Sequence, residues 1–382
     1  MSAYDQLQKH YRQRDLAARQ WKEKGGKVVG YLCDNVPEEF ILAGGLFPLR
    51  LSGDPWGGTE KIGNYSERGN VFSREGFVAS ILHMILNGKY DFLDYLIIPH
   101  ARDSVHRLYP TLVNRQEAEP DLKLPELYYL DNLHTTFYSA GIYNRDRWLE
   151  LKKQLEKWSG KEITNDQLSQ AIDFTNENKS LLKKTADLRA ADRPRISGVD
   201  ALQIIGSSMF MHKEAHNELL REYLAGAGEL PKRNGVRLFV EGSPLDNPQL
   251  YDIIESCQAT VIAEDNCWGN RYFDVPIDVT DDPLEAVIDR YNNKAPCPRM
   301  YPLGRRIAYC LDNALAARAQ GVIFNITRFD EIQAWETPDE INALKEKGIP
   351  SLYLKDQPYL IADPEVVKAK IVEFIQGISV QP

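Results

Sequence analysis

The chain has 382 residues, of which 43% are hydrophobic and 26% charged, and its formal net charge is −9 at pH 7. That length exceeds one ordinary α/β core and suits two, and the composition excludes a disordered or fibrous chain. The acidic balance, with a sequence pI of about 5.4, argues against a nucleic-acid surface, which needs clustered Lys and Arg, but leaves room for a few local cations holding one anionic group.

Residues 1–27 read as one charged amphipathic helix without the apolar core of an export signal. No apolar run approaches the ~20 residues of a membrane span. The five cysteines, Cys33, Cys257, Cys267, Cys297 and Cys310, contain no CxxC pair. With no export signal they are expected as reduced thiols of a cytoplasmic protein.

Short apolar runs then alternate with helical stretches. KVVGYLCD (27–34) reads as a strand, and PEEFILAGG (37–45) as a helix, with Asn35 and Glu38 at capping-box spacing and Pro37 in the first turn. FPLRLSG (47–53) is a second strand, 73–87 a helix with Phe77, Ile81 and Ile85 on one face, DYLIIPHA (94–101) a strand buried on both faces, and ELYYLDN (126–132) a fourth strand. From 143 to 228 strand signals stop, and three helix patterns follow, broken at Gly160 and at Arg193–Pro194–Arg195. Alternation resumes with strands at 236–244, 260–266, 321–329 and 351–356, and helices near 247–257, 283–292, 303–319, 335–347 and 364–376. The expectation is an α/β protein of two Rossmann- or flavodoxin-like parallel-sheet lobes: an N-terminal helix and first lobe (1–142), a helical insert (143–232) and a second lobe (233–382). The similar openings of the lobes, 27–53 and 236–264, suggest duplication of one unit.

In parallel sheets, ligands bind beyond the carboxyl ends of strands. The first such end, Cys33-Asp34-Asn35-Val36-Pro37-Glu38-Glu39, has neither GxGxxG nor GxxxxGK[ST]. It places carboxylates where a phosphate needs bare NH groups, so a nicotinamide or P-loop site is excluded. Three other ends carry chemistry: His100-Ala101-Arg102-Asp103-Ser104, Glu264-Asp265-Asn266-Cys267-Trp268-Gly269-Asn270-Arg271, and Arg328-Phe329-Asp330-Glu331. On spacing alone, solvated loop charge with Asp103 and Asp265 as helix caps is the better reading. His212 and His216, at i and i+4, lack the HExxH order of a zinc protease and read as a surface pair.

Larger pieces carry more information. KVVGYLCDNVPEEFILAGGLFPLRLSG, FLDYLIIPHARDSVHRLY, EGSPLDNPQLYDIIE, AEDNCWGNRYF, APCPRM and GVIFNITRFDEIQAWETPDEINALKEKGIPSLYL occur in an order and spacing that resemble the subunits of 2-hydroxyacyl-CoA dehydratases and benzoyl-CoA reductases. The AARQWKE and EAHNELLREYL stretches are more similar to a small benzoyl-CoA reductase subunit. The resemblance implies an acyl-CoA thioester as substrate, a homologous partner in a homo- or heterodimer, a [4Fe–4S] cluster on three cysteines and a separate ATP-dependent activator. It also implies a place in anaerobic metabolism, while the acidic balance and the lack of a long apolar run leave no nucleic-acid or membrane partner expected. In this chain the places matching the three cluster cysteines hold Glu75, Arg102 and Asp330. The cluster is therefore expected in the partner, with no metal and no cofactor on this chain. Two roles stand open for the three residues. They form an ion network filling the former cluster space, or Arg102 grips the substrate with Glu75 or Asp330 as acid or base. His100, Asp103, Glu264, Asp265, Trp268 and Arg271 are candidate substrate-binding residues. Two rivals remain: a non-catalytic acyl-CoA-binding scaffold, and a redox-independent lyase or hydrolase.

Overall fold

The computed structural model describes residues 1–57, 75–278 and 282–379. Two helices, α1 (Ala3–Arg12) and α2 (Leu16–Glu23), precede a first sheet of β1 (Val28–Tyr31), β2 (Phe47–Arg50), β3 (Tyr95–Pro99) and β4 (Glu126–Leu130). Between these strands lie α3 (Glu38–Ala43), α4 (Gly76–Leu86) and α5 (Asp103–Ala118). Four helices follow: α6 (Tyr138–Ser159), α7 (Asn165–Ala190), α8 (Gly198–Ser208) and α9 (Lys213–Ala225). The second sheet holds β5 (Val236–Gly242), β6 (Ala259–Asp265), β7 (Gly321–Thr327) and β8 (Ser351–Gln357). Its helices are α10 (Gln249–Ser256), α11 (Asn270–Phe273), α12 (Pro283–Asn293), α13 (Gly304–Ala316), α14 (Glu331–Glu346) and α15 (Pro364–Ser379).

Both sheets are fully parallel, with orders β2-β1-β3-β4 and β6-β5-β7-β8. The order is the same in each lobe, as duplication of one unit requires. Strand order reverses between β1 and β3 and between β5 and β7, and at such a switch point the loops diverge and leave a crevice. Both faces of each sheet are covered, which is why the strands read as unbroken apolar runs rather than alternating ones. One core joins Val28, Leu49 and Leu96 of the first sheet to Leu238, Val240 and Ile323 of the second. On the far face of the first sheet, Val29 and Ile97 pack with Trp148, Leu155 and Trp158 of α6. Phe239, Ile262, Val322 and Phe324 face a third cluster.

The structure differs from the sequence reading in several places. The N-terminal helix is two helices, and α1 lies on α8, where Tyr11 donates to Asp246 O at 2.7 Å. A Cβ on Gly206 would come within 2.6 Å of the Tyr11 ring, so this crossing needs a glycine. The third insert pattern is also two helices, α8 and α9, separated by Met209–His212. That turn buries Met209, Phe210 and Met211 and lets Met209 O accept from Arg50 N at 3.2 Å. His212 is therefore the residue before α9, not part of a helical pair. His216 is fully buried, bonded to Asn178 at 2.8 Å and Ser207 at 3.0 Å, which corrects the surface-pair reading. No Asn35–Glu38 capping box forms. Pro37 is the cap residue of α3, and the Glu38 carboxylate accepts from Tyr272 at 2.8 Å and faces Lys213 at 3.0 Å. The competing buried cation outweighs a local cap.

Gly242 ends β5 at φ +135, and a Cβ there would sit 2.3 Å from Asn325 O. Gly242→Ala is expected to cost more than about 3 kcal/mol, through strain at positive φ and a backbone clash. Thermal unfolding checks this, and an unchanged midpoint counts against it.

Candidate functional site between the lobes

The carboxyl ends of β1, β3, β5 and β7 meet at the lobe junction. Arg102, at the start of α5, sits there between two carboxylates. Its Nη1 donates to Glu75 Oε1 and its Nη2 donates to Asp330 Oδ2 at 2.6 Å. Glu75 precedes α4 in the first lobe, whereas Asp330 caps α14 in the second, so the guanidinium ties the lobes together. Two hydroxyls complete the arrangement: Ser104 Oγ donates to Glu75 Oε2 and Ser243 Oγ to Asp330 Oδ2, each at 2.5 Å. Burial pushes the Glu75 carboxyl up, against the pull of Arg102.

Beside this triad is a narrow cavity of about 40 Å³. Arg50, Phe77, Arg102, Trp268, Arg271 and Asp330 are among the residues that line it. Arg50 lies with its guanidinium 4.4 Å from the Trp268 ring centroid and donates to Cys267 O at 2.7 Å and to Cys267 Sγ at 3.0 Å. Asp34 also lines the cavity. Burial works against its ionisation, but Lys294 at 2.8 Å, Arg50 and Arg271 hold its carboxyl well below the usual range. His134 is on the wall too. Burial lowers it to about 4, so it is neutral near pH 7, with Nε2 against His100 O.

The other sequence-predicted residues lie in three settings. Trp268 and Arg271 line the cavity. Glu264 and Asp265 turn inward. Glu264 is held by Arg189 at 2.5 and 3.0 Å, and Asp265 faces Arg306 at 2.8 Å and Arg271 at 3.3 Å. His100 and Asp103 stand toward the surface, His100 paired with Asp131 at 2.8 Å and Asp103 with Arg299. Neither Asp103 nor Asp265 acts as a helix cap by its side chain. Sequence reasoning placed Ser104 at a chemically interesting strand end but missed Arg50, Lys294 and Ser243. A signal existed for Arg50, the one charge inside an otherwise apolar strand, which a buried strand tolerates only if the charge has a use.

Beneath the cavity, Arg306 gathers four carboxylates. Glu241 and Asp265 lie at 2.8 Å, Glu340 at 3.2 Å and Glu336 at 3.5 Å. Burial, reinforced by Asp265 and Glu340, pushes Glu241 well above its ordinary value. Burial likewise raises Glu340 to about 7, although Arg306 opposes it.

Carboxylates and a guanidinium that satisfy one another are not ligands for iron and sulfide. Cys33, Cys267 and Cys297 also reach the cavity, but burial pushes the Cys33 and Cys297 thiols up, and Cys267 Sγ already accepts from Arg50. Among the described residues no three His, Cys, Asp or Glu side chains are placed to hold a metal ion. The described residues at this junction do not fit an iron–sulfur cluster. No helix among the described residues is long and apolar enough to cross a membrane.

Comparison with known proteins gives consistent matches. The family model for 2-hydroxyglutaryl-CoA dehydratase, D-component, matches residues 33–378. A benzoyl-CoA reductase subunit of Thauera aromatica is 26% identical over 366 residues, covering 89% of this chain and 88% of the relative. The (R)-phenyllactyl-CoA dehydratase beta subunit of Clostridium sporogenes is 23% identical, covering 87% of each chain. The beta subunit of (R)-2-hydroxyglutaryl-CoA dehydratase of Acidaminococcus fermentans is 24% identical, covering 86% of this chain and 87% of the relative.

The triad and the Arg306 group each have a measurable consequence. Arg102→Met strands two buried carboxylates and is expected to destabilise the fold by about 3–5 kcal/mol, whereas replacing all three members by apolar residues costs less. Denaturant unfolding of the single and triple variants checks the ordering. Because Glu340 holds its proton up to about 7 when folded but releases it near 4.5 when unfolded, the folded state binds the extra proton between those values. Its stabilisation is complete below the lower value and is lost as pH rises through the higher, on the order of 3 kcal/mol in all. Glu340→Gln should flatten the stability profile between about pH 4.5 and 7; an unaltered slope contradicts the assignment.

Proposed function

Because this chain belongs to the 2-hydroxyglutaryl-CoA dehydratase D-component family, we propose that it is one subunit of a radical-type 2-hydroxyacyl-CoA dehydratase or benzoyl-CoA reductase assembly in the cytoplasm. It forms one wall of the acyl-CoA cleft. A homologous partner holds the [4Fe–4S] cluster, and a separate ATP-dependent activator feeds that partner. The cluster, when bound there, supplies the low-potential electron. What this chain contributes is binding, orientation and exclusion of water.

The observation that carries the reading is the Glu75–Arg102–Asp330 triad at the lobe junction. In the family alignment implied by the resemblance, these three side chains occupy the cysteine positions, and they close on one another. Both terminal nitrogens of Arg102 are taken by carboxylates, which favours a clamp between lobes over a guanidinium that grips the thioester carbonyl. Phe77 and Trp268 on the cavity wall, in edge contact with ring centroids 6.4 Å apart, offer an apolar face to an acyl chain. Phe137, Tyr138 and Tyr301 are exposed at 56%, 86% and 61% and supply apolar area for a partner.

Anaerobic purification of the chain, alone and with its co-purifying partner, tests the proposal by iron, sulfide and acyl-CoA binding measurements. The isolated chain is expected to bind acyl-CoA thioesters with no stoichiometric iron, and iron is expected to appear with the partner. Four irons per isolated chain would overturn the cluster-free reading. Turnover by the chain alone, without ATP or reductant, would transfer support to a redox-independent lyase or hydrolase.

A further inference from the structure

Three thiols, those of Cys33, Cys267 and Cys297, stand on the wall of the interlobe cavity, and their surroundings differ. Burial pushes the Cys33 and Cys297 thiols up, which keeps both sulfurs protonated. Cys267, 7% exposed, receives a guanidinium instead. Arg50 Nη2 donates to its Sγ at 3.0 Å, and Arg50 Nη1 donates to its carbonyl at 2.7 Å. A guanidinium has donors only, so the sulfur is the acceptor and its own proton lies outside this bond. Cys257, just after α10, has the opposite arrangement: its Sγ donates to Ile253 O at 3.2 Å.

The charge on Arg50 has no carboxylate to answer it. The residue is 2% exposed, and no carboxylate among the described residues lies within ion-pair distance; its one further contact is Met209 Sδ at 3.4 Å. The acids around it are taken. Asp34 faces Lys294 at 2.8 Å, Asp265 is shared by Arg306 at 2.8 Å and Arg271 at 3.3 Å, and Glu75 and Asp330 hold Arg102. A buried cation without a counter-charge costs several kcal/mol, and the Cys267 sulfur is the group in contact with it that can become an anion. Arg50 Nε and Trp268 Nε1 are buried without a hydrogen-bond partner, so two donors remain free on the wall that holds this sulfur. The cavity of about 40 Å³ takes a few water-sized molecules, which need about 10–15 Å³ each, and excludes bulky reagents.

We propose that Cys267 is a modification site, a thiol activated by Arg50 that reacts with small peroxides. The sulfur attacks one peroxide oxygen. An S–O bond forms, the O–O bond breaks, and the departing hydroxide takes up the proton that the thiol gave up. Sulfur loses two electrons and the peroxide gains them, so hydrogen peroxide yields a sulfenic acid and water. Arg50 supplies the positive charge beside the attacking sulfur, and its Nε and the Trp268 indole NH are the donors available to the departing oxygen. The inference goes beyond the acyl-CoA reading and does not rest on it. It needs only the lobe junction, since Arg50 belongs to β2 and Cys267 follows β6.

Peptide mass spectrometry of the full chain tests it. The reduced protein is exposed to hydrogen peroxide, quenched with catalase, denatured and labelled with a thiol alkylating reagent, so that the loss of labelling gives an oxidation rate for each cysteine. Cys267 is expected to be oxidised about tenfold or more faster than Cys257. Arg50→Met should bring the Cys267 rate to within about threefold of the Cys257 rate. Should that variant fail to fold, wild type carries a second measurement. Replacing hydrogen peroxide by tert-butyl hydroperoxide should slow Cys267 by about tenfold more than it slows Cys257, because the larger molecule does not fit the cavity. Oxidation of Cys267 no faster than that of Cys257 overturns the proposal. So does a lead that Cys267 keeps in folded Arg50→Met, or equal slowing of both cysteines by the larger peroxide.

Discussion

The contact on which the arrangement of the two lobes turns is the Arg102 guanidinium, shared between Glu75 on one side and Asp330 on the other. Each carboxylate is positioned by its own element, Glu75 ahead of α4 and Asp330 as the cap of α14, and each takes a second bond from a serine. Charges removed from water are tolerable only when paired and hydrogen-bonded. Here both terminal nitrogens and both acids are used. The triad therefore works as a unit: taking away one member strands the others, while the intact set fixes how the strand ends of the two sheets approach.

The same accounting extends into the second lobe. Arg306 is fully buried and gathers Glu241, Asp265, Glu336 and Glu340. One guanidinium cannot neutralise four carboxylates in a medium that penalises charge, so protons remain on the group and Glu241 and Glu340 shift upward. Asp265 is the link to the cavity, because Arg271 leans on the same carboxylate.

Much of the architecture was legible in the residues. Continuous runs such as YLIIP and GVIFNIT announce strands buried on both faces, and their alternation with helical periodicity announces parallel sheets. Turn and cap chemistry was legible where it is local, as at Thr164 with Gln167 and at Gly160. It failed where a distant group competes. Glu38 has capping-box spacing but goes to Tyr272 and Lys213, and the 200–228 stretch has unbroken helical periodicity but bends at Met209–His212 to bury three apolar side chains. Within the candidate site, the residue pattern gathered Arg102, Asp330, Trp268 and Arg271 at strand ends, but it could not separate those facing the cavity from Glu264 and Asp265, which turn inward.

By itself, the sequence determined the class of fold, the alternation of strands and helices and the residue types at the carboxyl ends of the strands, because periodicity and motif order are properties of neighbours along the chain. Tertiary structure alone decided which charges meet. Glu75 and Asp330 are 255 positions apart in number and share one guanidinium, and Arg50 and Cys267 come from different lobes. Pairing energy depends on distance and burial rather than on sequence separation, so which acids and cations neutralise each other, and which donors are left facing the cavity, is fixed only when the two sheets are brought together.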